Sequence, residues 1–211
     1  RYERVAVLGT GARGDVYAAT HRGSSHDLAL KFLRSSDPDD GLRFRREAML
    51  LAFFDHPGVP RYFDYAPAAD PPYIAMARAR GVRAVTFCSR DEAGRLSPLE
   101  VAQVGWEAAQ ILAYVHEQGV IHRDLNANNL MLELQAAPGV NSTGRVKLPR
   151  AVRVTLIDFG NAELTEKFFS AASFRYLTPP ESRTAIPDGG IHTLGWAAPE
   201  ARAGRGWTTK S

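Results

Sequence analysis

The run His122-Arg123-Asp124-Leu125-Asn126-Ala127-Asn128-Asn129 gathers groups able to handle a proton and a metal ion into one short stretch. Asp124 is suited to orient a hydroxyl and accept its proton, and Asn129 to hold a magnesium ion. His122, taken alone, reads as a packed structural histidine rather than a ligand or a base. A second acid stands in Leu156-Ile157-Asp158-Phe159-Gly160. A carboxylate there can bind a divalent cation that bridges phosphates. The plainer alternative is a strand that ends in an Asp-x-Gly turn.

Phosphates themselves are suggested by Gly9-Thr10-Gly11-Ala12-Arg13-Gly14-Asp15-Val16. Missing side chains let backbone N–H groups approach an anion. Dinucleotide-binding folds use a similar string, but a helix follows it. Here Val16-Tyr17-Ala18-Ala19 follows, which reads as a strand, so the glycines suit a flap over nucleotide phosphates. A plain hairpin turn is the alternative. Leu28-Ala29-Leu30-Lys31 puts a lysine at the end of an apolar strand, where it can hold the α- and β-phosphates. Glu47, on the next helix, is the natural partner to fix its rotamer. A snorkelling surface lysine is the commoner reading of any lone lysine. Ala198-Pro199-Glu200 completes the series.

The elements that must carry these groups follow from the pattern. Tyr2 to Ala19 alternates around the glycines as strand, loop and strand, and Leu28 to Leu33 is a further strand. Asp37 to Gly41 reads as a turn, Leu42 to Phe54 as a helix ended by His56-Pro57-Gly58, and Arg61 to Tyr65 and Tyr73 to Ala77 as strands. Ser97-Pro98-Leu99-Glu100 predicts a helix start, with the helix running to about Gln118 and stopping at Gly119. Leu130 to Leu132 and Val152 to Ile157 are short strands. Glu133 to Ala151 reads as a surface insertion, and Asn161 to Gly190, without a clear period, as a long mobile loop. The expected organisation is α+β and bilobal: a β-rich lobe over 1–77, a hinge over 78–83, and a mainly helical lobe over 84–211.

Composition narrows the class. The 211 residues are 45% hydrophobic and 23% charged, ordinary for a soluble globular domain. A net charge of +3 without a basic cluster does not argue for nucleic acid. The single cysteine, Cys88, excludes an internal disulfide, so a reducing setting is expected, either in the cytoplasm or as the cytoplasmic domain of a larger membrane-anchored protein. No apolar run is long enough to span a bilayer, and no direct membrane contact is expected from this segment. The abundance of Ala, Arg, Gly and Pro points to a GC-rich, bacterial genome.

Taken together and in this order, the glycine loop, lysine, helical glutamate, H-R-D, D-F-G and A-P-E make the sequence resemble the eukaryotic-type protein kinase family along essentially its whole length. The resemblance implies ATP and Mg2+ as cofactors, and transfer of the γ-phosphoryl group to serine or threonine hydroxyls of a protein substrate. It implies that Gly9, Thr10, Gly11 and Gly14 cover the phosphates. Val16 and Ala29 above and Met131 below would sandwich adenine, Met76 would be the gatekeeper, and the backbone from Ala77 to Ala79 would meet the adenine edge. Lys31, Glu47, Asp124 and Asn126 would form the catalytic set, with Asn129 and Asp158 on the metal. Leu51, Tyr62, His122 and Phe159 match the apolar spine joining the lobes. Asp158, Phe159 and Gly160 would open the activation segment, Thr193 would support the catalytic loop, and Glu200 would pair with a later arginine. Arg123 would meet a phosphate within that segment, with Thr165, Ser170, Ser173, Thr178, Ser182 and Thr184 as candidates.

The sequence departs from the family at Asn126, where serine/threonine kinases carry a lysine directed at the γ-phosphate. Losing that charge should slow chemistry more than binding. The chain also stops about where the next large helix of the family begins, so residues 1–211 alone are expected to be unstable or inactive. Two other readings stay open: a nucleotide-binding regulatory module without catalysis, and a small-molecule phosphotransferase of related fold. Intact Lys31, Asp124, Asn129 and Asp158 weigh against the first. The arginine of H-R-D and the A-P-E segment weigh against the second.

Overall fold

The computed structural model describes residues 1–11, 13–22, 27–88, 95–135 and 151–170. Its first half is an antiparallel sheet in the order β1-β2-β3-β5-β4. The strands are β1 (Tyr2–Thr10), β2 (Gly14–His21), β3 (Asp27–Leu33), β4 (Tyr62–Ala66) and β5 (Tyr73–Ala77). Ala19, Leu28, Leu30 and Ala75 form a small cluster on the sheet. Gly14 comes so close to Phe32 that a Cβ would collide with its carbonyl oxygen. Glycine there lets the β1–β2 turn fold onto the end of β3.

Helix α1 (Pro38–Phe53) crosses between β3 and β4. It starts earlier than the pattern suggested, because the stretch read as a turn is its cap. The Asp37 side chain accepts the Asp39 N–H at 2.9 Å, and Pro38 takes the first helical position. Phe44, Glu47, Ala48, Leu50 and Leu51 line its buried face. Glu47 is thus a carboxylate carried on an apolar stripe.

The second half opens with β6 (Val82–Arg83) and a 3-10 turn (Ala84–Cys88), followed by α2 (Pro98–Glu117). Ser97 and Glu100 form the full reciprocal cap: Ser97 N–H donates to the Glu100 carboxylate at 2.7 Å, and Glu100 N–H donates to Ser97 Oγ at 3.3 Å. Past α2 the chain reverses at Gly119, whose φ of +78° is natural for glycine. Then come β7 (Val120–Ile121), β8 (Leu130–Gln135), β9 (Ala151–Leu156), β10 (Glu163–Leu164) and α3 (Glu166–Ser170). β8 therefore extends into the stretch expected to be an insertion, and β10 with α3 occupies the start of the stretch expected to be a mobile loop. Residues 136–150 and 171–211 lie outside the described residues, and with them Thr193, Glu200, Ser173, Thr178, Ser182 and Thr184. Among the described residues, no helix is long and apolar enough to cross a membrane.

Two strand pairings decide where the chemistry sits. The segment from His122 to Asn129 runs between β7 and β8, and the segment from Ile157 to Ala162 runs between β9 and β10. β7 pairs with β10 (Leu164 opposite Val120), and β8 pairs with β9 (Leu130 opposite Leu156). Both loops are therefore pinned at both ends against each other. One apolar core, including Ala29, Leu51, Met76, Leu132, Leu156 and Phe159, joins the first sheet, α1 and these strands.

Candidate active site

Lys31 leaves β3 and meets Glu47 of α1. Its Nζ lies 2.8 and 2.7 Å from the two Glu47 carboxylate oxygens and 3.2 Å from Asp158 Oδ1. Burial alone lowers the ammonium's pKa. The Asp158 and Glu47 carboxylates overcome it, and the net shift is upward, so Lys31 stays charged. Lys31 in turn, working against burial, holds the Asp158 carboxyl down at about 2. Glu47 is 3% exposed, and burial pushes it up to about 7 against the pull of Lys31.

Asp124 is braced by three asparagines. Asn126 Nδ2 donates to its Oδ1 at 2.9 Å and to its carbonyl at 3.0 Å. Asn129 Nδ2 donates to its carbonyl at 2.8 Å and to Oδ2 at 3.1 Å. Asn161 Nδ2 lies 3.4 Å from Oδ2. Asn126 is buried and also accepts the Asn128 N–H at 2.9 Å. It is part of the loop's frame rather than a group projecting into the cleft. Asn161 escaped the sequence reading; its place directly after D-F-G was the available signal.

His122 is buried, and burial lowers its pKa. A neutral ring that donates from Nε2 to the Ile157 carbonyl at 3.2 Å and accepts the Asp124 N–H on Nδ1 at 3.3 Å satisfies both contacts. It bridges the two loops as a structural histidine. Its ring packs edge-on to Phe159 at 4.9 Å, and Phe54 packs on Phe159 at 5.1 Å. Phe159 has no exposed surface, and Leu51 and half-buried Tyr62 belong to the same core. Phe54, at the end of α1, was not singled out beforehand. Arg123 and Asp158 both adopt positive φ, 66° and 65°, which for non-glycine residues costs about 1–2 kcal/mol each. The pinned loops hold that strain beside the acids.

Arg123 Nη1 lies 3.6 Å from Glu163, and Arg46 of α1 donates to the Ala162 carbonyl at 3.4 Å. Two arginines thus converge on the stretch after D-F-G. Thr165 donates its hydroxyl to the Gly119 carbonyl at 2.8 Å, so that oxygen is engaged in the fold.

In the first sheet Ala29 pairs with Met76 and Val16 pairs with Lys31, while Met131 lies on β8 of the second half. The N–H groups of Ala77 and Arg78 are committed to Arg61 O at 2.7 Å and Asp27 O at 3.1 Å. Ala79, next along, has no backbone partner among the described residues. Gly9 and Thr10 end β1, Gly11 N–H donates to the Gly14 carbonyl at 2.9 Å, and Gly14 opens β2. The Arg83 guanidinium approaches Gly9.

The donor set suits magnesium. Asn129 spends its amide hydrogens on Asp124, which leaves its amide oxygen for a cation. Asp158 is ionised and its side chain is 42% exposed. Both would supply the hard oxygen ligands that this ion prefers.

Comparison with known proteins identifies the family. The model for the protein kinase domain matches residues 2–210. Serine/threonine-protein kinase PknB of Mycolicibacterium smegmatis is 32% identical over 204 residues, which cover 92% of this chain and 31% of that protein. PknB of Mycobacterium tuberculosis is 31% identical, covering 97% of this chain and 32% of its own length. Serine/threonine-protein kinase PknD of Chlamydia caviae is 29% identical, covering 97% and 22%. The chain spans about a third or less of the curated relatives it matches. By the extent of the match and the order of its motifs, this chain belongs to the protein kinase domain family.

Proposed function

We propose that this chain binds ATP with magnesium between a lobe over residues 1–77 and a lobe beginning at 84, joined by a hinge over 78–83, and transfers the γ-phosphoryl group to serine or threonine of a protein substrate. The observation that carries this reading is the convergence of Lys31, Glu47, Asp158, Asn129 and Asp124 from β3, α1 and the two pinned loops. Bound magnesium supplies charge neutralisation along the phosphates. Asn129 and Asp158 hold it. Lys31, kept in place by Glu47, meets the α- and β-phosphates. Asp124, its carboxylate fixed by Asn126 and Asn129, orients the substrate hydroxyl and takes its proton. Positioning contributes most of the catalysis, because the reaction needs little covalent participation from the protein. Val16, Ala29, Met76 and Met131 enclose the adenine, and Ala77 and Ala79 offer backbone groups to its edge. The reading places this region in the cytoplasm, where ATP is available.

The test is phosphate incorporation from Mg-ATP by the full-length protein beside an Asp124→Ala control, with the acceptor residues identified. Phosphoserine or phosphothreonine that the control loses is the expected result. ATP binding without incorporation would favour a regulatory module, and transfer confined to small hydroxyl compounds would favour a phosphotransferase of related fold.

A further inference from the structure

The transferring phosphoryl group needs cations around it, and the catalytic loop supplies few. Asn126 is neutral, buried and occupied with Asp124 and Asn128. Lys31 is held by Glu47 and Asp158. Arg123 and Arg46 face the stretch at Ala162 and Glu163.

A further cation comes from across the cleft. Arg13 stands in the turn between β1 and β2, and its backbone is fixed by the Arg34 N–H, which donates to its carbonyl at 3.0 Å. Its Nη1 lies 3.5 Å from Asn161 Oδ1, and the same Asn161 reaches Asp124 Oδ2 at 3.4 Å. The guanidinium is thus two contacts away from the carboxylate that faces the reacting hydroxyl. Its Nε lies 3.5 Å from Asp40 Oδ1, and the side chain is 38% exposed. These separations are long for hydrogen bonds, so the guanidinium is close to the reaction centre but loosely held. Arg83, by contrast, approaches the loop at Gly9, before the turn.

We propose that Arg13 is a catalytic residue which, on the kinase reading above, contacts the terminal phosphoryl group of ATP and supplies the positive charge that position 126 lacks. In the step itself, the bond from the γ-phosphorus to the β-γ bridging oxygen breaks and ADP leaves with that electron pair. A new bond forms from phosphorus to the substrate hydroxyl oxygen, and the hydroxyl proton passes to Asp124. Arg13 makes and breaks no covalent bond in this step. Its planar fork matches two non-bridging oxygens, and its charge counts most as negative charge spreads over them in the transition state. The long contacts to Asn161 and Asp40 give way to the phosphoryl oxygens at little cost.

The experiment compares Arg13→Gln and Arg13→Lys with wild type in the full-length protein. It reads kcat, KM for ATP, and calorimetric affinities for Mg-ADP and for the Mg complex of the non-hydrolysable imido analogue of ATP. Arg13→Gln is expected to lower kcat on the order of 100-fold while leaving ADP affinity within about threefold, so that preference for the triphosphate falls. Arg13→Lys is expected to fall between. An unchanged kcat, or equal loss of affinity for both nucleotides, would overturn the proposal. If even wild type transfers no phosphate, the kinase reading fails separately, and the affinity ratio still decides: a ratio lowered by Arg13→Gln upholds the phosphate contact, and an unchanged ratio overturns it.

Discussion

Replacing Lys31 with methionine tests the buried charge cluster more sharply than loss of activity alone. The change removes the ammonium that lies 2.7 and 2.8 Å from Glu47 and 3.2 Å from Asp158. Burial already pushes Glu47 up to about 7 even with Lys31 opposing it. Without that opposition the carboxyl rises further and keeps its proton instead of carrying an unpaired buried charge. A folded-state pKa above the unfolded one gives stability that is full below the unfolded value of about 4.3 and is lost as pH rises toward the folded value. The loss is about 1.4 kcal/mol per pH unit for one proton. For a domain of this size that is roughly 3–6 °C of Tm per pH unit. Wild type should therefore level off above about pH 7, where Glu47 has already ionised, while Lys31→Met keeps losing stability between pH 7 and pH 9. Lys31 itself does not enter, because its own shift is upward and outside that window. Thermal unfolding of wild type, Lys31→Met and Lys31→Met/Glu47→Gln across pH 6 to 9 measures this. Above pH 7 the double variant should be flat, since an amide does not titrate and the buried His122 is already neutral in both states. Parallel profiles for wild type and the single variant above pH 7 would refute the reasoning.

Asp158→Asn should lower Tm at neutral pH, with the gap to wild type closing on acidification. Asp158 is held down at about 2, so its contribution is present above about pH 4 and lost as pH falls toward 2. The shift corresponds to at most about 2.5 kcal/mol, and roughly 1–1.5 kcal/mol once its 42% exposure is allowed for. Asn126→Ala removes the donor 2.9 Å from the Asp124 carboxylate and should lower kcat on the order of 10–100-fold in steady-state assays, leaving KM for ATP nearly unchanged. Phe159→Ala empties a fully buried site between Phe54 and His122 and should cost about 3–5 kcal/mol in denaturant unfolding.

Much of the scaffold was legible because its signals are local. Ser97, Pro98 and Glu100 announce the start of α2 within one turn, Tyr73–Ala77 matches β5 as read, and Gly119 marks the stop. The ordered motifs likewise named Lys31, Glu47, Asp124, Asn129 and Asp158 before any geometry was available. Even locally, Asp37-Pro38 was ambiguous, because the same residue types serve a turn or a helix cap, and packing of Phe44 and Glu47 against the core settled it as a cap. The rest depended on residues far apart in the chain. Asn161 meets Asp124 across 37 positions, and Arg13 meets Asn161 across 148. No window of sequence contains both ends of such a contact. They arise because β7 pairs with β10 and β8 with β9, which stacks two separate loops into one site, and because Gly14 lets the β1–β2 turn fold close over it. Residue chemistry alone therefore determined which groups are available. Tertiary pairing decided that Asn126 is a brace, that His122 bridges two loops, and that a glycine-loop arginine comes within reach of Asn161 beside Asp124.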